Sequence, residues 1–83
     1  MKIYDYNGRK NISGDRIREA RIRKKISQTE LAARMQVEGI VIERDSISRI
    51  EIGTRFVPDY ELSVIADYFH VTSDYLLGRT NKE

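Results

Sequence analysis

The eleven residues at 43–53, Glu-Arg-Asp-Ser-Ile-Ser-Arg-Ile-Glu-Ile-Gly, leave little choice of local structure. Ile47 and Ile50 are three apart, so in a helix they share one face, and Arg44, Asp45, Ser48 and Arg49 share the others. Gly53 ends the run with the residue that enters the left-handed conformation without a Cβ penalty. The spacing predicts a short helix over about 43–52, with an apolar back and a front of short polar and long basic side chains. Such a front suits the edges of base pairs. Arg donates two hydrogen bonds to guanine, while Ser and Asp approach a groove without filling it. A solvated surface helix would read the same over so short a run, so the neighbouring segment decides.

That segment carries two start signals. Ser27 and Glu30 have the spacing of a capping box, and Ile26 and Leu31 that of a hydrophobic staple. A second helix is predicted over about 28–36, with Leu31, Ala32 and Met35 inward and Ala32 small enough to let the next helix approach. Two helices joined by a connection, the later one polar on one face, make a helix-turn-helix candidate. The run Ser27-Gln28-Thr29-Glu30-Leu31-Ala32, followed by Asp45-Ser46-Ile47-Ser48-Arg49-Ile50-Glu51 and Gly53, resembles the lambda-repressor-like helix-turn-helix family, also called the XRE or Cro/repressor type. The resemblance extends from about Ile12 to Gly78. It breaks at residues 36–43, where the family has a turn of about three residues and this chain about five more.

The resemblance implies an all-α, compact five-helix DNA-binding domain. It further implies a sequence-specific transcriptional regulator, a repressor, bound as a homodimer to a palindromic site on double-stranded DNA. On that footing Arg44, Asp45, Ser46, Ser48 and Arg49 are candidates for base or nearby phosphate contacts, and Gln28, Thr54 and Arg55 for the DNA backbone. The family pattern also pairs Arg21 with Glu51, has Gln28 bond a phosphate and brace the reading helix, and nominates Tyr75, Leu76, Leu77 and the outer side of the fourth helix as the dimer surface. The alternative is a protein-interaction module, an antitoxin-like or adaptor helix-turn-helix, in which the apolar insertion and Leu76 and Leu77 bind a partner. Salt-dependent binding to random duplex DNA separates the two, because only a DNA-binding protein releases counterions.

Length and composition narrow the field further. Eighty-three residues fit one domain without a separate small-molecule domain. With no Cys, neither a disulfide framework nor a thiolate metal site is available. One His, no glycine-rich phosphate loop and no metal-ligand spacing argue against an enzyme, a metal or a cofactor. An acidic residue near Met1, where a leader needs an apolar run, and the short triplet Ile40-Val41-Ile42 argue against a leader and a membrane span, and predict a cytoplasmic protein. The net charge of +2 is unevenly distributed: residues 1–28 carry +6 and residues 29–83 carry −4. A basic end is expected near phosphate.

Along the chain, residues 1–12 form an N-terminal arm carrying the hairpin signal Asn7-Gly8, with Arg9 and Lys10 able to reach a minor groove. Residues 13–78 form the domain. Its first helix starts near Ser13 to Asp15 and runs to about Lys25, with Ile17 and Ala20 inward and Arg16, Arg18, Arg23 and Lys24 in solvent. Arg21 falls inward and needs a partner. In the insertion, Ile42 is a core residue, while Ile40 and Val41 either cover the core edge or form a contact surface. Glu43 and Asp45 lie where acids cap a helix, and Asp45 has the competing reading of a cytosine contact. A loop at 54–58 precedes a helix capped by Asp59, with Leu62, Ile65, Ala66 and Phe69 in the core. Val71 and Thr72 open a short fifth helix containing Leu76, and residues 79–83 are a frayed polar tail.

Overall fold

Each helix boundary has a local cause. In the computed structural model, which describes residues 6–83, Ser27 Oγ accepts the Glu30 N–H at 3.0 Å and the Glu30 carboxylate accepts the Ser27 N–H at 3.3 Å. This capping box starts α2 (Gln28–Val37). Before it, α1 (Gly14–Lys24) has Ser13 at its cap position without a side-chain capping bond; Asn11 Oδ1 accepts the Gly14 N–H instead, at 2.8 Å. Next, α3 (Arg44–Ile52) stops at Gly53, whose φ of 100° lets its N–H return to the Arg49 and Ile50 carbonyls.

The start of α4 (Asp59–Phe69) differs from expectation. Pro58, not Asp59, takes the cap position, and its carbonyl accepts the Glu61 and Leu62 N–H groups. The proline ring fixes φ at −58°, which already suits helix entry, so Asp59 becomes the first helical residue and no side chain caps. Thr72 caps α5 (Ser73–Leu76) as predicted, accepting the Tyr75 N–H at 3.0 Å. The all-α, five-helix architecture follows, and among the described residues the only strand-like pairing is one bridge between Tyr6 and Arg9.

One core joins the five helices, with Ile17, Leu31, Met35, Ile47, Ile50, Ile65 and Leu76 fully buried. α3 packs on α1 and α2, as the smallness of Ala32 allows. Gly14 brings the first turn of α1 against the end of α3 so closely that a Cβ there would collide with the Ile50 carbonyl oxygen. The enlarged turn between α2 and α3 is folded into this core rather than looped out. Ile40 and Ile42 are buried, Gln36 Nε2 donates to the Ile42 carbonyl at 2.7 Å, and Val41 alone of the three apolar residues points out, 96% exposed.

Residues 6–11 and the C-terminal tail are tied down where sequence predicted looseness. Residues 1–5, including the first part of the expected hairpin, lie outside the described residues. From residue 6 onward the turn is present: Tyr6 and Arg9 exchange backbone bonds of 2.7 and 2.9 Å, with Asn7 and Gly8 at positive φ. Instead of extending as an arm, this turn docks on the end of α3, where the Lys10 N–H donates to the Gly53 carbonyl at 2.8 Å. At the other end, Arg16 donates to the Tyr75 and Thr80 carbonyls and to Asn81 Oδ1, and stacks 4.4 Å from the Tyr75 ring centroid. Arg23 pairs with Glu83 at 2.7 Å, and the Thr72 N–H donates to the Glu83 carbonyl. Arg16 is thus half-buried, not solvated, and residues 79–83 fold back on α1. Tyr75 and Leu76, nominated as a docking surface, are inside this chain's own core, so only half-buried Leu77 of that trio retains exposure.

Candidate nucleic-acid interface

The back of α3 is held by a buried carboxylate. Glu51 falls next to Ile47 and Ile50 on the inward stripe, and its side chain is only 2% exposed. An acid there requires donors. Arg21 supplies two, Nε to Oε2 at 2.7 Å and Nη2 to Oε1 at 3.0 Å, while Gln28 Nε2 reaches Oε1 at 3.1 Å. Arg21 Nη1 also donates to the Ile26 carbonyl at 2.9 Å. The bond to Glu51 raises the Arg21 guanidinium above its ordinary pKa, burial working against this. Glu51 therefore joins α1, the start of α2 and α3 in one network. Arg18, 60% exposed, stands 4.0 Å from the same carboxylate and adds positive charge at its outer edge.

The front of α3 is open. Arg44, Asp45 and Arg49 are exposed and Ser48 is half-buried. Arg44 Nη1 lies 3.4 Å from Asp45 Oδ1, and Arg49 Nε donates to the Asp45 carbonyl at 3.4 Å. The Asp45 carboxylate thus offsets part of the Arg44 charge, while Arg49 leans on the Asp45 backbone. Neither Glu43 nor Asp45 makes a side-chain capping bond; Glu43 holds the cap position and its carbonyl takes the Ser46 and Ile47 N–H groups. Ser46 sits about a ninth of a turn from Ile50 on the helical wheel and is half-buried, to one side of Asp45, Ser48 and Arg49. Ile52 was not singled out from sequence, yet it lies on the open face, 64% exposed. Its signal was its spacing of four from Ser48 and seven from Asp45, the repeat of that same face.

The loop after α3 presents Thr54, exposed, with its N–H donating to the Arg49 carbonyl at 2.8 Å. Arg55 behaves differently. Its Nη1 and Nη2 grip the carboxylate of Glu61 at 2.7 and 3.1 Å, and Glu61 is 3% exposed. That bond raises the Arg55 pKa above the ordinary value, burial opposing. Its charge is answered inside the fold, and the pair braces the loop against α4. Glu61 was missed, although it precedes Leu62 by one residue and Ile65 by four and so falls on the inward face of α4.

Asn11, also passed over in the sequence, is the third anchor. Its Nδ2 donates to the Ile50 carbonyl at 3.0 Å and to the Arg55 carbonyl at 2.8 Å. Elsewhere, Arg34, Met35, Val37, Glu38, Val64, Asp67 and Tyr68 line a shallow cleft of about 260 Å³ between α2 and α4. Among the described residues no group of three or more His, Cys, Asp or Glu is placed to hold a metal ion, and no helix is long and apolar enough to cross a membrane.

A family model described as Helix-turn-helix matches residues 17–76, which runs from the core of α1 to the end of α5 and takes in the Glu51 network and the whole open face. Comparison with curated proteins gives no significant match.

Proposed function

The chain belongs to the lambda-repressor, XRE-type helix-turn-helix family of DNA-binding regulators, and from that membership we propose that it is a sequence-specific transcriptional repressor whose α3 reads the major groove. The observation that carries this reading is the two-sided build of α3: a back fixed by Ile47, Ile50 and Glu51, and a front on which Asp45, Ser48, Arg49 and Ile52 project together. A helix so held presents its side chains to base edges without an entropic cost of ordering the backbone.

In this reading Arg44 and Arg49 donate to guanine or to adjacent phosphates, Asp45 accepts from cytosine N4, and Ile52 offers an apolar contact to a thymine methyl. Ser46, to one side of that face, contacts phosphate. Gln28, fastened to Glu51 at the start of α2, and Thr54, at the end of α3, grip the backbone on either side. A helix of nine residues spans only a few base pairs, so a homodimer on a palindromic site supplies the rest. Its apolar contact comes from the exposed Phe56 and Tyr60 in the loop after α3 and the first turn of α4, not from Tyr75 and Leu76. Repression then needs no further activity than occupancy of the site.

Selection of bound sequences from a random duplex pool, repeated over a range of salt, tests this. A recurrent two-fold motif with steeply salt-dependent affinity is the expected result. One observation favours the other reading: Val37, which lines the cleft, and Val41 in the turn after α2 are 79% and 96% exposed, apolar side chains that suit a protein partner. An interaction module would show no salt-dependent DNA binding.

A further inference from the structure

The reading helix is tethered at its far end by a residue outside the matched family region. Asn11 Nδ2 donates to Ile50 O at 3.0 Å and to Arg55 O at 2.8 Å, and its Oδ1 accepts the Gly14 N–H at 2.8 Å. One amide therefore joins three elements: the first turn of α1, the last turn of α3, and the loop that carries Thr54. The Ile50 carbonyl belongs to the last turn of α3; it takes the Gly53 N–H at 3.1 Å on one lone pair and has the other for Asn11. The Arg55 carbonyl lies in a loop with no regular ladder of its own. Beside it, the Lys10 N–H fixes the Gly53 carbonyl, and the Arg9 guanidinium lies over Gly53 and 3.5 Å from Asp15. On the far side of the loop, Arg55 is clamped to buried Glu61.

We propose that Asn11 is a positioning residue for DNA binding. By holding the Ile50 and Arg55 carbonyls at once, it fixes the angle at which α3 leaves the domain and the place at which Thr54 meets the duplex. Residues 6–11 then serve as a clasp on the reading helix, not as an arm in the minor groove. Base readout requires donors and acceptors to stand within hydrogen-bond reach of fixed groove atoms, whereas attraction to phosphate falls off gently with distance. Loosening the clasp accordingly costs discrimination before it costs general affinity. The inference rests on the proposed reading of α3.

Asn11→Asp separates the two halves of the amide. It retains an oxygen for the Gly14 N–H and removes both donors. The measurements are made on the full chain: thermal melting, affinity for the site selected by the parent, affinity for random duplex, and amide hydrogen exchange at Thr54, Arg55 and Phe56. Loss of two hydrogen bonds should lower affinity for the selected site about tenfold relative to random duplex; random-duplex affinity and salt slope should stay unchanged in the neutral Asn11→Ser, whereas the added carboxylate of Asn11→Asp lowers both affinities by a common factor. Exchange in the loop should speed up. Asn11→Ser, too short to reach either carbonyl but able to accept at Gly14, should reproduce the effect and substitutes if Asn11→Asp does not fold. Parental discrimination together with parental loop exchange in a folded variant overturns the positioning role. Equal losses on selected and random duplex also overturn it, since they mark a contact or a folding defect. A parent that selects no sequence overturns the reading of α3 itself, and exchange in the variants still decides whether Asn11 holds the loop.

Discussion

At the scale of single residues, stability turns on the two buried acids. Glu51→Ala leaves the Arg21 guanidinium 13% exposed and without its counter-charge, which should cost about 3–5 kcal/mol, a large share of the roughly 5–15 kcal/mol that holds a small domain together. Replacing Arg21 and Glu51 together by apolar residues of similar volume should cost much less, and chemical denaturation of the three proteins gives the comparison. A Glu51→Ala protein that unfolds with the parent would dispose of this. Arg55→Ala should likewise destabilise, by about 3 kcal/mol, because Glu61 is left buried and unpaired, while the salt slope of DNA binding stays put. Arg49→Ala should do the opposite, relaxing preference at one base pair by about 1–3 kcal/mol with little change in melting. Asp45→Asn tests the acid on the open face: in parallel binding-site selections the amide should move preference from cytosine towards adenine, whereas identical motifs with uniformly tighter binding would reduce Asp45 to a charge that repels phosphate. The need of Arg21 for a partner was visible from its inward position, and the family resemblance supplied Glu51 as that partner. Glu61 was hidden by its company: with Pro58 and Asp59 just before it, it read as one more acid of a helix start.

Among the elements, what was legible in sequence was whatever depends on near neighbours. The capping box of Ser27 and Glu30, the glycine stop at Gly53 and the Thr72 cap all act within three or four residues, and all are present. Illegible were the contacts that close across the chain. Nothing near Asn11 announces that its amide will meet Arg55, 44 residues away, and nothing in a polar tail announces a return to Arg16, some 64 residues back. The enlarged turn belongs between these cases: its apolar residues implied burial, but only the fold could sort inward Ile40 and Ile42 from outward Val41. Gly14 supplies the test at this scale. Its replacement by Ala would ordinarily stabilise a helix, yet here the new Cβ meets the backbone at Ile50, so α1 and α3 must part. A fall in melting temperature worth about 1–3 kcal/mol is expected. An Ala variant as stable as the parent would mean that the approach is looser than described.

For the molecule as a whole, the open face of α3 is the proposed reading surface, held from behind by α1, α2 and the clasp of residues 6–11. If two copies bind together, their α3 helices should fall about 34 Å apart, one turn of duplex, and footprints should show half-sites at that spacing with two chains per site. A single asymmetric half-site bound by one chain would rule out the dimer. The Arg55–Glu61 clamp carries a further consequence, in the time domain of protein synthesis. A nascent chain that has just passed Ile52 already contains every side chain of the open face, but neither the loop beyond it nor the acid that locks that loop. Only when Glu61 has emerged, and α4 has folded beneath it, can Arg55 be pulled inward and the carbonyl that Asn11 grasps be brought to rest. On the proposed reading of α3, the ability to tell one sequence from another is therefore acquired late in translation, after the side chains of the open face have been made, and a chain interrupted in that interval would carry the letters of recognition without the posture that lets them be read.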